Sequence, residues 1–133
     1  SFLVASTVEA VMAQRLVRRL CDSCKEAYMP SRDELPKDFP AELLRDEPFY
    51  RATGCRECRQ VGYRGRMGIY ELMQTTDNIR QLAHDRVSSW QIRQEATKEG
   101  MKTLRDDGWC KVSHGQTSID EVIRVTKGDH GIR

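Results

Sequence analysis

An α+β fold, mostly α, is what the sequence predicts: a small tetracysteine zinc lobe with short strands, then a C-terminal bundle of short helices. Three observations predict it. Cys21-Asp-Ser-Cys24 and Cys55-Arg-Glu-Cys58 form two CxxC pairs separated by thirty residues. All four prolines, Pro30, Pro36, Pro40 and Pro48, fall between those pairs. After residue 75, helix-capping signatures recur about every 15 residues.

The 133 residues suit one ordinary domain or two very small ones. Lys and Arg number 22 against 20 Asp and Glu, a formal net charge of +2. That balance argues against a histone-like tail or a polybasic membrane anchor. Leu, Ile, Val and Phe make up about one fifth of the chain, near the border below which burial alone struggles to fold it. The expected core is thin and needs a staple or a partner. No apolar run approaches the ~18 residues of a membrane-spanning helix. The opening SFLVAS has no initiator Met and no basic n-region, so the sequence is expected to be a piece of a longer protein, without a signal peptide.

The elements follow in order. Ser6-x-x-Glu9 reads as a capping box, and Val8, Val11, Met12 and Leu16 recur at helical spacing. This predicts a helix over 7–20 running into the first cysteine pair. Its Arg15, Arg18 and Arg19 suit the C-terminal end of a helix dipole. Ser31-x-x-Glu34 and the AELL at 41–44 predict short helical turns in a small insert between the cysteine pairs. Phe49 to Thr53 reads as a short strand, and Arg66 to Met73 is the best strand candidate. Thr76 caps a helix over 77–84, with Ile79, Leu82 and Ala83 inward. Ser88-x-x-Gln91 opens a second that ends near Gly100. Thr103-x-x-Asp106 opens a third with Leu104, Trp109 and Val112 on its apolar arc. Thr117-x-x-Asp120 opens a fourth with Ile119, Val122 and Ile123 inward. The tail KGDHGIR reads as disordered.

Two CxxC pairs can each clamp half of one tetrahedral ion, because two intervening residues let both sulfurs converge. A disulfide framework suits a secreted chain, and nothing here suggests secretion. A thioredoxin-like CxxC needs a strand before it and a helix after it, and the first pair here is expected to follow a helix instead. The expected reading is structural zinc held by Cys21, Cys24, Cys55 and Cys58. Four thiolates leave no open position, so the metal is expected to do no chemistry. Cys110 is assigned no role.

Residues 51–66 carry Arg51, Arg56, Arg59, Arg64 and Arg66 against Glu57 alone. These arginines read first as solvated compensation for a negatively charged sulfur cluster. The rival reading is an anion-facing patch, which makes a zinc-ribbon nucleic-acid-binding module the alternative function. No helix concentrates base-reading Arg, Asn and Gln on one face, so no specific nucleic acid is expected. His84, His114 and His130 are scattered, and Asp106-Asp107 and Asp120-Glu121 fall at helix starts, where capping and the dipole account for them. No catalytic constellation emerges. No GxxxxGK[ST] phosphate loop occurs in the sequence, so the chain alone is not expected to be an enzyme.

The blocks AQRLVRRLCDSCKEAY, GCRECRQVGYRGRMGIYELM, IRQLA, GMKTLRDDG and TSIDEVIRVT come in order across about residues 2–128. In this they resemble the C-terminal end of the type II secretion and type IV pilus assembly ATPases. The resemblance implies a RecA-like ATPase core upstream that binds ATP and Mg2+. It implies a homo-hexamer, cytoplasmic and peripheral at the inner membrane, that acts on an inner-membrane platform protein. Cys21, Cys24, Cys55 and Cys58 match the family's tetracysteine zinc motif. Residues 1–20 would end the ATPase core, 21–68 form the zinc-binding subdomain and 69–128 the helical C-terminal subdomain, with 129–133 as the tail. Ile79, Arg80 and Leu82 are similar to a short IR-x-L segment that couples nucleotide state to motor output. Together with Arg15, Arg64 and Arg66 they are the expected coupling or interface residues.

Overall fold

The computed structural model describes residues 7–44 and 46–127. Ser6 of the expected capping box and the tail 129–133 lie outside the described residues.

Two antiparallel strand pairs occur among the described residues. β1 (Ala10–Leu20) pairs with β4 (Tyr63–Gln74), and β2 (Glu26–Tyr28) pairs with β3 (Phe49–Arg51). Two short 3-10 turns, Arg32–Glu34 and Ala41–Leu43, lie in the proline-rich insert, as expected from its sequence. Among the described residues four α-helices follow: α1 (Asp77–His84), α2 (Ser89–Lys98), α3 (Leu104–Ser113) and α4 (Ile119–Thr126). The α+β class holds.

The helix expected over 7–20 is instead strand β1. The helical spacing put Leu16 inward, yet Leu16 is half exposed while Val17 is 1 % exposed. The alternation Ala13, Arg15, Val17 points one face toward α3 and α4, and a two-residue period fits only a strand. The partner decides it: β4 supplies a ladder from Gln74 opposite Ala10 to Arg66 opposite Arg18, with a register shift before Leu20. Tertiary pairing outweighs a weak local preference for helix.

The four helices make two pairs. α1 packs on α2, and α3 packs on α4. Thr76, Ser88 and Thr103 cap their helices as expected, each accepting the N–H of the third residue on. The last cap differs. Ser118, not Thr117, accepts the Glu121 N–H. Thr117 is fully buried and donates its hydroxyl to the Arg18 carbonyl at 2.8 Å, stitching β1 to the start of α4.

Two apolar clusters form the core. Val17, Ile69 and Leu104 lie where the β1–β4 sheet meets α3, with Ala13, Met67 and Val125 around them. Phe39, Phe49, Trp109, Val112, Ile119 and Val122 form the larger cluster. Phe39 and Phe49 come from the cysteine-bounded segment, and Trp109 and Val122 come from the helices. The insert therefore shares one core with α3 and α4. Asp38 fastens the joint, accepting from Trp109 Nε1 at 2.8 Å and from Arg105 Nε at 2.7 Å. Gly108 lets α3 and α4 close together, because a Cβ there would stand 2.7 Å from Val122 Cγ1.

Candidate metal centre

Two tight turns bring four sulfurs together. The first leaves β1 at Leu20, where the Cys21 carbonyl accepts the N–H of Lys25 at 2.9 Å. The second follows β3, where the Cys55 carbonyl accepts the N–H of Gln60 at 2.8 Å. The Cys21 N–H donates to the Gly62 carbonyl at 3.0 Å, so the turns also bond to each other. Thr53 donates to the Cys24 carbonyl, and Ser23 donates to Glu57 across the two CxxC motifs.

Gly62 has a concrete reason to be glycine. Its φ is +88°, and a Cβ would sit 2.7 Å from Ala52 Cβ. Arg59 and Gln60 also take left-handed conformations, with φ of 57° and 66°. Such backbone is costly for residues with a Cβ and persists where the surroundings enforce it. Here it turns amides toward sulfur. Gly62 and Cys55 donate to Cys58 Sγ at 3.1 and 3.2 Å, and Gly54 donates to Cys24 Sγ at 3.4 Å.

The sulfur atoms of Cys21, Cys24, Cys55 and Cys58 all lie within 4.8 Å of one another. Cys21–Cys55 and Cys24–Cys58 are each 3.8 Å apart, and Cys55–Cys58 is 3.7 Å. A disulfide needs ~2.05 Å, so these are not disulfides. A tetrahedron with metal–sulfur bonds of ~2.3 Å has edges of ~3.8 Å. The donor set and its spacing fit one tetrahedral ion.

The ionisation of the cluster points the same way. Burial raises the Cys58 thiol, but the N–H groups of Gly62 and Cys55 outweigh it and bring it down to about 6. The Cys58 N–H favours the Cys55 thiolate, but burial and the neighbouring sulfurs push that thiol up to about 11. The sulfurs cannot all ionise beside one another without a cation. The groups donating directly to sulfur are backbone amides, not the five nearby arginines. Arg56, Arg59 and Arg66 are exposed, Arg51 lies 3.8 Å from Glu26, and Arg64 lies 3.7 Å from Glu57.

The remaining expected coupling residues fall at separate places in the fold, with Ile79, Arg80 and Leu82 together on α1. Arg15 Nη1 donates to the Val125 carbonyl at 2.8 Å, tying β1 to α4. Arg66 lies opposite Arg18 across the ladder. Ile79 is buried in α1, Leu82 is half-buried, and Arg80 reaches Glu9 at 3.8 Å. Cys110 lines an open groove of about 1080 Å³ with Leu72, Met101, Glu99 and Asp107; none of the four clustered cysteines borders it.

One functional-looking residue escaped sequence reasoning. Glu121 is 1 % exposed and holds Arg18 and Arg124. Its position in the first turn of a helix suggested only the dipole. The signal that would have found it is the buried ladder edge at Arg18, which no single-sequence pattern reveals.

Fold and cluster together define a tetracysteine module on an α+β scaffold, its sulfurs close enough to hold one metal ion. The sequence as a whole assigns it further: the family model of the type II/IV secretion system proteins matches residues 1–124, and the chain belongs to that family. It is 42 % identical over 126 residues to the type II secretion system ATPase E of Vibrio cholerae, a match covering 95 % of this chain and 25 % of that protein. It is 44 % identical over 131 residues to the type II secretion system protein E of Pseudomonas aeruginosa, with the same coverage. It is 42 % identical over 127 residues to the type IV pilus assembly ATPase TfpB of Acinetobacter baylyi, covering 93 % of this chain and 21 % of that protein. The chain thus spans about a quarter of the length of these curated relatives. No helix among the described residues is long and apolar enough to cross a membrane.

Proposed function

We propose that this chain is the zinc-braced C-terminal part of a hexameric motor ATPase that powers type II protein secretion or type IV pilus assembly. Its role is structural and coupling. Cys21, Cys24, Cys55 and Cys58 hold Zn2+, which supplies bracing and no catalysis. ATP and Mg2+ bind elsewhere in the longer protein. The partners are the rest of its own ATPase chain, neighbouring copies and an inner-membrane platform protein, with the assembly peripheral to that membrane on the cytoplasmic side. Arg15, Arg64, Arg66, Ile79, Arg80 and Leu82 are the coupling positions.

The observation that carries this reading is the near-tetrahedral spacing of four sulfurs, 3.7 to 3.8 Å on three edges, inside a chain of the secretion family. Its relatives are named as secretion and pilus ATPases, which does not favour the nucleic-acid alternative. The test has two arms. Metal analysis of the purified chain should return one zinc per chain, and Co2+ in its place should give the visible absorption of a tetrahedral thiolate site. The chain alone should hydrolyse no ATP, whereas the full-length protein should. Robust ATP hydrolysis by the pure 133-residue chain, or no bound metal, would sink the reading.

A further inference from the structure

The open groove beside Cys110 lies between three parts of the fold. Leu72 on β4, Leu43 on the second 3-10 turn and Met101 in the turn after α2 give it an apolar lining. Leu72 is 51 % exposed. The charged side chains around that lining are mostly acids. Asp38 is matched by Arg105 at 2.7 Å, and Asp107 by Lys111 at 3.1 Å. Neutral donors hold two more. Glu99 accepts from the Thr76 hydroxyl at 2.7 Å and the Asn78 amide at 3.0 Å, and Asp106 accepts the Thr103 N–H at 2.9 Å. These bonds leave both negative charges standing. Glu42 is exposed on the rim, and Lys102 is the remaining cation of the lining.

The second cysteine turn has the opposite character. Val61 is 53 % exposed, and Arg56, Arg59 and Gln60 beside it are exposed. The acid of this turn, Glu57, lies 3.7 Å from Arg64 and takes the Ser23 hydroxyl. The turn is fixed from inside, because the Cys55 and Gly62 amides donate to Cys58 Sγ and the Gln60 N–H donates to the Cys55 carbonyl. A surface already set in shape loses little entropy on docking. One apolar side chain beside two guanidinium groups matches an apolar groove with a carboxylate rim.

We propose that the groove receives the 56–61 turn of a second copy of this chain, with Val61 against Leu72 and Met101, and Arg56 and Arg59 toward Glu42, Glu99 and Asp106. This rests on reading the protein as a motor of several copies. Turn and groove are different patches of one surface, so the contact runs head to tail. Each copy gives one turn and receives one, and a closed ring uses them all. Charge selects this pairing, since groove against groove or turn against turn would set like charges together.

Photo-crosslinking between isotope-mixed copies of the full-length protein tests this. Copies with Gln60 replaced by p-benzoylphenylalanine are assembled with heavy-nitrogen-labelled copies that lack it, so a light–heavy crosslink must join two copies. The crosslink should run from the turn to 38–43 or 96–107 of the second copy, Met101 above all. Glu42→Lys with Glu99→Lys on the labelled copies should lower its yield about tenfold. Arg56→Glu with Arg59→Glu on the crosslinker copies should then restore it. Bound zinc, measured on every variant, reports separately whether the cysteine turns are intact. Crosslinks within single copies alone, crosslinks to other segments, or a yield that ignores the charge reversals overturn the proposal. So does a yield that falls on reversal of the acids and is not restored by reversal of the arginines. Light scattering reads assembly independently: a full-length ring without this crosslink sinks the contact and leaves the motor reading standing, whereas a full-length protein that stays single sinks both.

Discussion

The carboxylate of Glu121 grips Arg18 three times, at its backbone N–H (2.8 Å), its Nη2 (2.8 Å) and its Nε (3.1 Å). It thereby caps the end of β1 with the first turn of α4. Arg124 adds two more bonds from the same helix, at 3.0 and 2.8 Å. Five hydrogen bonds hold a carboxylate that is 1 % exposed, so burial and charge compensation must be retained together.

Acid should dissolve this joint. Burial raises the Glu121 pKa, but the hydrogen bonds from Arg124 and Arg18 outweigh it and bring it from 4.5 to about 2. The folded value lies below the unfolded one. The contribution to stability is therefore whole above about pH 4.5 and is lost as pH falls toward 2, on the order of 3 kcal/mol in all. Urea unfolding between pH 2 and pH 5 should show this slope in the parent chain and a flatter one in Glu121→Gln. Any acid release of metal affects both chains alike, so parallel slopes would refute the assignment.

Asp38→Ala should cost about 2–4 kcal/mol, because it leaves the indole N–H of buried Trp109 without its acceptor and Arg105 without its carboxylate. Asp38→Asn keeps one oxygen for the indole and should recover part of that loss. Chemical denaturation of the three chains reads both effects.

Two glycines separate crowding from backbone strain. Gly62→Ala meets Ala52 Cβ at 2.7 Å and also has a φ of +88°. It should weaken zinc affinity at least about tenfold, since even ~1.4 kcal/mol of distortion is a factor of ten. Gly100→Ala has a φ of +104° but nothing within 4 Å of the new methyl. It should lower stability by about 1 kcal/mol and leave zinc affinity unchanged. Competition against a chromophoric chelator distinguishes the two.

Removing the metal, by chelation or by Cys55→Ser, should loosen more than the cysteine turns. Phe39 and Phe49 lie between the two cysteine pairs yet pack with Trp109. Exchange protection should fall over 21–66 and also over α3 and α4. The α1–α2 pair should keep most of its protection, because it packs on itself and reaches β4 through Arg93 and Glu71. Loss confined to 21–66 would mean that the shared aromatic core is not cooperative.

What could be read in advance divides along a physical line. Cysteine spacing, the caps at Thr76, Ser88 and Thr103, and the strand around Arg66 to Met73 are local signals, and each was legible. β1 was not, because Val8, Val11, Met12 and Leu16 satisfy a helical period by chance and the deciding partner lies fifty residues away in β4. Thr117 lost its expected capping role to Ser118 for the same reason, its hydroxyl being taken by the distant Arg18 carbonyl. At the cluster the four cysteines were visible, whereas the amides of Gly54 and Cys55 that donate to sulfur depend on how the two turns fold.

β4 has one more mechanical consequence. It begins five residues after Cys58 and ends three residues before Asp77, the first residue of α1. An extended strand rises about 3.3 Å per residue and has almost no slack, so β4 sets a separation of roughly 36 Å between its ends. A helix of the same residue count would be half as long and a loop would give under load. A thrust at the sulfur cluster along this axis would reach Asp77 with little lost, as through a push-rod. The ladder to β1 stiffens that rod against buckling.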